Sequence, residues 1–203
     1  MDYDLASVDY ILQTTRSVRK RLDLTRPVER DVVMACMEIA LQAPSASNTQ
    51  RWRWVIVTDP DKKAQIGAYY QKSYANYTAP EAKLADSASH LAAHMGEVPM
   101  MIFGCVEGRP QPNQNAAGLY GSIIPAAWSL MLALRARGIG AAWTTLHLAY
   151  EKECNAVLGI PDDVTTAVLL PVAYFTGETF KIAKRTPAAE VTYWDAWGVT
   201  MDV

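Results

Sequence analysis

The sequence predicts an α+β fold of three layers, α/β/α, with a mixed sheet of four to five strands between the helices. Helical patterns with one apolar face alternate along the chain with short apolar runs of strand type. One of these runs, 99–106, is apolar throughout, which is typical of a strand buried on both faces, and the sheet as a whole is expected to be mostly buried. At 203 residues the chain can bury a sizeable core, and we interpret residues 1–203 as a single domain.

The first half of the chain is predicted to begin with two helices. Asp4 can cap a helix whose apolar residues share one face. A second helix restarts over 25–28, where a proline suits the first turn, and it ends before Pro44. An apolar run over 52–58 is predicted to be the first strand, and Asp59 precedes a further helix.

The middle of the chain contains the most apolar helical pattern. A helix is predicted over 80–96, followed by the buried strand 99–106 and a polar loop over 108–115. The helix predicted over 116–137 is apolar on nearly every face. Such a helix is either central to the fold or packed against a partner subunit.

The last third is predicted to hold two strands and a weakly structured tail. A third strand is expected over 141–146, a helix over 151–158 and a fourth strand over 165–175. The tail, residues 177–203, has little periodicity, but its aromatic residues need a surface on which to pack. We therefore expect a segment that extends over another subunit.

Composition excludes several classes of function. A net charge of −2 and a pI near 5.9 give no general reason to bind nucleic acid or an anionic membrane. The three cysteines are scattered, which favours buried thiols in a reducing compartment, and the three histidines show no metal-ligand spacing and favour structural roles. Neither a signal peptide nor a membrane-length apolar run is evident, so a soluble cytoplasmic protein is expected.

Two basic segments at opposite ends of the chain could bind an acidic ligand. Thr15–Arg19 carries two arginines three residues apart with a hydroxyl between them, and guanidiniums bind phosphate or carboxylate bidentately. Residues 181–187 again combine cations with a hydroxyl. The alternative for each segment is a solvated basic surface, which at a helix end is favoured by the dipole.

Two polar loops could contact a flat ligand. Asn48 and Gln50, in the small-residue loop 43–50, each offer a donor and an acceptor, although an Asx-type turn explains the same residues. The glycines at 138 and 140 follow a helix rather than a strand, so a dinucleotide-binding fingerprint is excluded by its context. The residues after them, 143–145, instead offer amides and hydroxyls at a strand end.

Taken in order, these stretches resemble the FMN-dependent nitroreductase family over about residues 10–198. The motifs that carry the resemblance are T-R-S-V-R at 15–19, A-P-S-A-S-N-T-Q at 43–50, G-I-G-A-A-W-T-T at 138–145, L-G-I-P at 158–161 and K-R-T-P at 184–187. The resemblance implies a nitroreductase-like sandwich, an intertwined homodimer, and FMN bound at the subunit interface.

The resemblance also implies roles for individual residues. The phosphate and ribityl side of FMN would be held by Arg16, Ser17 and Arg19. Arg185 would form an ion pair with the phosphate, and Lys184 would add a second cation. The isoalloxazine ring would be lined from the other subunit by Pro44, Ser45, Ser47, Asn48 and Gln50. The polar edge of the ring would be approached by Trp143, Thr144 and Thr145.

The implied activity is a ping-pong, two-electron reduction of nitroaromatics, quinones or similar electrophiles by NAD(P)H, with no catalytic side chain and no metal. Three alternatives remain: a flavin-binding store or sensor, a relative that reduces enones or halogenated aromatics, and a plain dimeric scaffold. The short segment 106–116 argues against the lid that such relatives usually carry. The family usually has proline where this chain has Arg51, a charge that could favour an anionic substrate or point to solvent.

Overall fold

The computed structural model describes residues 4–77, 86–113 and 115–200. The chain divides into two compact units. The larger unit is Thr15–Glu178, and the smaller one joins the described parts of the two chain ends, residues 4–14 and 179–200.

The larger unit contains a sheet of four strands in the order β1-β2-β4-β3. The strands are β1 (Trp52–Val57), β2 (Met100–Glu107), β3 (Ile139–Ala141) and β4 (Val164–Tyr174). The pairings of all neighbouring strands are antiparallel. Among the described residues, parallel pairing is confined to single bridges such as Ser17–Ala141, so the mixed character that we predicted is limited to isolated contacts.

Helices cover both faces of this sheet. The helices of the larger unit are α2 (Arg30–Ala40), α3 (Pro60–Ala75), α4 (Asp86–His94), α5 (Ala117–Arg135) and α6 (Glu151–Leu158). On one face, α2 and α5 pack with alternate residues of β2 and β4 in one apolar core. On the other face, Thr166 of β4 donates a hydrogen bond of 2.9 Å to Asn155 of α6. The predicted three-layer α+β architecture is confirmed.

The inner strands β2 and β4 are buried on both faces, which the sequence predicts for β2. All residues of β4 except the last are buried, as are all of β2 except its last. The core helix α5 is the one helix of the described residues that is long and apolar enough to cross a membrane, and 44% of its most apolar window is buried in the protein. Core helices of globular proteins also have this composition.

Two predicted boundaries were wrong. The second helix begins at Arg30 rather than at 25–28, because the Asp23 carboxylate accepts hydrogen bonds from the backbone of Thr25 and Arg26 and holds a turn there. The third strand is Ile139–Ala141 rather than 141–146, because the chain turns at Gly138, where φ is 74°, and pairs immediately.

The remaining helices agree with the sequence prediction where the structure describes them. Asp59 accepts a hydrogen bond of 2.9 Å from the Lys62 amide and so caps α3. The helix predicted over 80–96 is present as α4 and a following turn of 3-10 helix, Met95–Glu97, and its first part lies outside the described residues. All three cysteines are free and buried, as predicted.

The smaller unit contains α1 (Leu5–Thr14) and a short helix, α7 (Ala188–Val191), within an otherwise irregular tail. The Asp4 carboxylate accepts a hydrogen bond of 3.2 Å from the Ser7 amide, which confirms the predicted cap. Tyr10 of α1 and Thr179 share a side-chain hydrogen bond. Large apolar side chains of this unit remain exposed, including Leu5, Ile182, Trp194 and Trp197.

Candidate functional site

The basic segment 15–19 contacts the glycine-containing segment 138–145 beside the edge strand β3. The Val18 amide donates a 2.9 Å hydrogen bond to the Ala141 carbonyl, and the Trp143 amide donates one of 3.2 Å to the Ser17 hydroxyl. Gly140 permits this approach, since a Cβ there would lie 3.0 Å from that of Val18. Two predicted site segments that are far apart in sequence therefore form one surface.

The cations of this surface are half-buried and lie beside a hydroxyl pair. Arg16 donates a 2.7 Å hydrogen bond to the Thr15 carbonyl, and Arg19 is also half-buried. Tyr70 and Thr144 share a buried hydrogen bond of 2.8 Å. Burial raises the pKa of Tyr70, while the nearby Arg19 charge opposes that shift. Sequence reasoning missed Tyr70, because a helical tyrosine carries no signal of its tertiary partner.

The segment 143–145 presents its three side chains differently. Trp143 is half-buried and packs against the main apolar core, whereas Thr145 is exposed. Thr144 is buried, and its hydroxyl is engaged by Tyr70. Of the groups predicted to approach a ligand, those of Trp143 and Thr145 are therefore the more accessible.

The loop before β1 adopts a strained backbone. Ser47, Asn48 and Gln50 have φ angles of 49°, 53° and 49°, a left-handed region that costs non-glycine residues about 1 kcal/mol each. Such strain persists only where surrounding contacts impose it, and it is concentrated at binding sites. Pro44 and these three residues are exposed, whereas Ser45 is half-buried.

Hydrogen bonds hold this loop in place and leave polar groups free. The Ala46 amide donates to the Ser122 hydroxyl of α5 at 3.1 Å, and the Gln50 amide donates to the Ser45 hydroxyl at 3.3 Å. The Gln50 side-chain amide donates to the Asn48 side-chain carbonyl at 3.0 Å. Within the described part of the chain, the side-chain nitrogen of Asn48 and the side-chain oxygen of Gln50 have no partner and remain as one donor and one acceptor.

The two surfaces lie at opposite edges of the sheet. The loop 44–50 leads into β1, whereas segments 15–19 and 138–145 border β3, three strand steps away. At the usual strand spacing this separation is about 14 Å across the sheet. One copy of the chain thus does not bring the two surfaces together.

A cavity of about 500 Å³ lies between the loop 44–50 and the start of α5. Its lining combines a few apolar side chains with amides, hydroxyls and two arginines: Ala46, Ser47, Thr49, Arg51, Val106, Gly108, Arg109, Pro110, Gln111, Asn115, Ala116, Gly118, Leu119 and Ser122. Arg109 forms a 2.6 Å ion pair with Glu151, which also accepts a hydrogen bond from the Thr166 amide at 3.1 Å. Sequence reasoning missed this pairing.

The two cations of the tail belong to the smaller unit. Lys184 and Arg185 are both exposed, and the Arg185 guanidinium donates a 3.4 Å hydrogen bond to the Lys184 carbonyl. Their predicted action together with Arg16 and Arg19 therefore stays a prediction.

His147 has a structural environment. Its side chain is fully buried, its ring meets that of Phe103 edge-on at 5.4 Å, and neither ring nitrogen has a hydrogen-bond partner among the described residues. Burial lowers its pKa to about 3, so the imidazole is neutral. The burial agrees with the structural role predicted for it, whereas the unpaired nitrogens differ from the hydrogen-bonded histidine that the sequence favoured.

Fold and site together define a three-layer α+β sandwich with polar, ligand-type loops at opposite edges of its sheet. The chain belongs to the nitroreductase family, whose sequence profile matches residues 12–174. The family membership predicted from the motifs is confirmed.

Individual relatives cover most of the chain. NADH dehydrogenase of Thermus thermophilus is 28% identical over 202 residues, which cover 91% of this chain and 97% of that protein. Iodotyrosine deiodinase 1 of Rattus norvegicus is 27% identical over 175 residues, covering 81% of this chain and 60% of that protein.

Solved structures share the fold at lower identity. Oxidised iodotyrosine deiodinase bound to FMN and 3-iodo-L-tyrosine has a TM-score of 0.75 at 21% identity, covering 92% of this chain and 98% of that one. A mutant of the FMN and NADPH-dependent nitroreductase NfnB from Sphigopyxis sp. strain HMH has a TM-score of 0.72 at 20% identity, covering 93% and 99%.

Proposed function

We propose that the protein is an FMN-dependent NAD(P)H oxidoreductase that acts as a homodimer and reduces nitroaromatics, quinones or similar electrophiles. The observation that carries this proposal is the split site: a cationic surface at one edge of the sheet and a strained amide-bearing loop at the other. Two copies related by a two-fold axis can bring the surface of one to the loop of the other. The proposal includes a cytoplasmic location, which was expected from the sequence.

The residues of both surfaces fit FMN. The Ser17 hydroxyl accepts a hydrogen bond from Trp143, so its own proton is available to a phosphate oxygen. The guanidiniums of Arg16 and Arg19 suit a dianionic phosphate, and Lys184 and Arg185 of the tail would add to them. The donor of Asn48 and the acceptor of Gln50 match the alternating polar edge of an isoalloxazine ring, with Pro44, Ser45 and Ser47 as the rest of that wall.

Exposed apolar surface supports the homodimer. Ile124 and Trp128, one turn apart on α5, are 45% and 40% exposed, and Met34 and Ile39 of α2 are similarly exposed. A groove between these helices continues to Pro44. A monomer rarely leaves such a surface uncovered, and a second copy of this chain would cover it beside the loop 44–50.

In this proposal the protein contributes binding and electrostatics rather than a catalytic side chain. FMN supplies the two-electron chemistry between NAD(P)H and the acceptor. The arginines and Ser17 would anchor the phosphate, while Asn48, Gln50 and the accessible side chains of Trp143 and Thr145 would orient the ring. NAD(P)H and the acceptor would use the cavity in turn, a ping-pong scheme that needs one cleft only.

A second candidate is the reductive dehalogenation of a halogenated aromatic. It is supported by the iodotyrosine deiodinases among the relatives, one of them with a TM-score of 0.75. A third possibility, a flavin store or sensor, differs from both in lacking reduction by NAD(P)H.

An anaerobic absorbance spectrum of the purified protein tests the proposal. We expect oxidised-flavin bands that bleach on addition of NADPH or NADH and return on addition of a nitroaromatic. Bands that return with 3-iodotyrosine but not with a nitroaromatic would favour the dehalogenase. Bands that never bleach would favour the store or sensor, and a colourless protein that takes up no FMN would refute the proposal.

A further inference from the structure

We propose that Arg51 makes the cavity beside the loop 44–50 a binding site for the carboxylate of an anionic aromatic acceptor. This inference rests on the proposed function, since it takes the ligand to be an electron acceptor, and it goes further by naming the class of substrate. It depends on the charges around the cavity, on the fixed backbone of Arg51 and on the chemistry of the other lining residues.

Arg51 is the cation of this cavity whose charge is not paired by another described residue. Arg109, the other arginine of the lining, is bound to Glu151 at 2.6 Å and donates a further hydrogen bond of 2.7 Å to the Asp162 carbonyl. Glu107, whose amide donates a hydrogen bond to the Arg51 carbonyl, forms its ion pair with Arg53 at 2.7 Å. Asp163 lines the adjoining groove without forming an ion pair with Arg51 among the described residues.

The backbone fixes where the Arg51 side chain begins. The Arg51 carbonyl accepts a 2.9 Å hydrogen bond from the Glu107 amide, and the next residue, Trp52, is buried in β1. On its other side, Gln50 is held at a φ of 49°. This fixed backbone sets where the guanidinium can reach, and the exposed Arg51 side chain becomes ordered when it binds a carboxylate bidentately.

The rest of the lining suits a small aromatic ring. Val106, Pro110 and Leu119 provide apolar contact, and the volume of about 500 Å³ is at the scale of ordinary small-molecule sites. The Asn115 side-chain carbonyl is occupied by the Ala117 amide at 2.8 Å, which leaves its amide group as a donor. The cavity therefore offers a cation, an amide donor and an apolar wall, and the described residues of its lining include no carboxylate.

Equilibrium binding of benzoate and benzamide to the purified full-length protein tests the inference without relying on turnover. The two probes share a ring and differ in charge. The variants are Arg51→Gln, Arg51→Lys, and Arg30→Gln as a matched control, since Arg30 is an exposed arginine at the start of α2 and does not line the cavity. Isothermal titration calorimetry gives each dissociation constant, and kcat/KM for 4-nitrobenzoate against 4-nitrobenzamide gives the same comparison during turnover.

We expect the wild-type protein to bind benzoate about three- to ten-fold more tightly than benzamide, as for a partly exposed charge pair. Arg51→Gln should bring this ratio close to one, Arg51→Lys should keep part of it, and Arg30→Gln should keep all of it. An unchanged ratio in Arg51→Gln, or no preference for benzoate in the wild type, overturns the inference.

Two further outcomes are decisive. If Arg51→Gln weakens NADPH or NADH but not benzoate, the arginine binds a phosphate of the donor and the inference is wrong. If the protein proves not to be reduced by NAD(P)H but retains an Arg51-dependent preference for benzoate, the oxidoreductase proposal fails while the anion site stands.

Discussion

Single residues in this protein show how strongly burial can shift a pKa. His147 lies in the core with both ring nitrogens unpaired among the described residues, and burial lowers its pKa to about 3. Cys105 and Cys154 are buried thiols whose pKa values burial raises to about 11 and about 12. These groups are therefore neutral at pH 7, and we assign them to packing rather than to chemistry.

The buried His147 makes stability depend on pH. Above pH 6.5 neither state protonates this histidine, but below it the unfolded chain binds a proton that the folded chain, with a pKa of about 3, does not. This residue should therefore cost about 1.4 kcal/mol of unfolding free energy between pH 7.5 and pH 5.5. Urea unfolding at both pH values should show that loss in the wild type and a smaller one in His147→Leu. Equal losses in the two proteins would contradict the assignment.

Gly140 is required by the close approach of Val18. A Cβ on residue 140 would lie 3.0 Å from the Val18 Cβ, so Gly140→Ala must displace the segment that carries Ser17. We expect a loss of about 1–3 kcal/mol in unfolding free energy, as in other overpacked cores, together with weaker FMN retention. Gly121→Ala is the control, because a Cβ there meets nothing within 4 Å and α5 should gain stability. Equal stabilities of the two variants would refute this account.

At the scale of an element, the loop 44–50 is held in an unfavourable backbone conformation by α5 and by itself. Its positive φ angles at three non-glycine residues and its hydrogen bond from Ala46 to Ser122 fix where the amides of Asn48 and Gln50 point. Glycine would relieve the strain at Ser47 and Gln50, whereas asparagine adopts this region more readily than most residues. We propose that the side chains of Asn48 and Gln50 bind the ligand.

Replacing Gln50 by glycine should separate stability from function. Glycine adopts a φ of 49° without strain, so Gln50→Gly should change the unfolding free energy by less than about 1 kcal/mol in either direction. The same change removes one amide from the proposed ring site and should lower the FMN content of the purified protein. Thermal unfolding and flavin absorbance measure the two effects. Full FMN content in a stable Gln50→Gly protein would argue against the site.

At the scale of the whole molecule, the proposed site is incomplete in a single chain. Its two surfaces lie at opposite edges of the sheet, and the apolar residues on the outer sides of α2 and α5 are uncovered. One homodimer interface would satisfy both observations. The predictions at this scale therefore link assembly to cofactor retention.

Trp128→Glu should disrupt the dimer and release FMN together. Trp128 is 40% exposed in the single chain, and a carboxylate buried there by a second copy would cost several kcal/mol unless paired. Analytical ultracentrifugation should report a smaller mass than that of the wild type. The variant should leave a gel-filtration column colourless. Gln71→Glu, which adds the same charge on an exposed position of α3, should leave both unchanged. A dimeric, yellow Trp128→Glu protein would exclude this surface as the interface.

Arg185→Ala tests the contribution of the tail. Loss of one charge-assisted contact with the phosphate should weaken FMN binding about ten-fold or more. The measurement is the flavin content after dialysis, with Lys181→Ala as a control that removes a neighbouring exposed cation. Unchanged flavin content in Arg185→Ala would remove this residue from the site.

The sequence by itself determined most helices, the buried strand β2, the existence of β4, the buried cysteines and the segments that could bind a ligand. These features are local, since apolar periodicity, caps such as Asp59 and turns such as Gly159 act over a few residues. The start of α2 was misplaced because the Asp23 turn competes with the helix that Pro27 favours.

Only the tertiary structure decided which distant segments meet. It shifted β3 to Ile139–Ala141, joined Ser17 to Trp143 and Tyr70 to Thr144, and paired Arg109 with Glu151 while leaving the charge of Arg51 unpaired among the described residues. Strand pairing and ion pairing depend on distances between residues far apart in sequence. No local pattern records those distances, because they follow from how the whole chain packs.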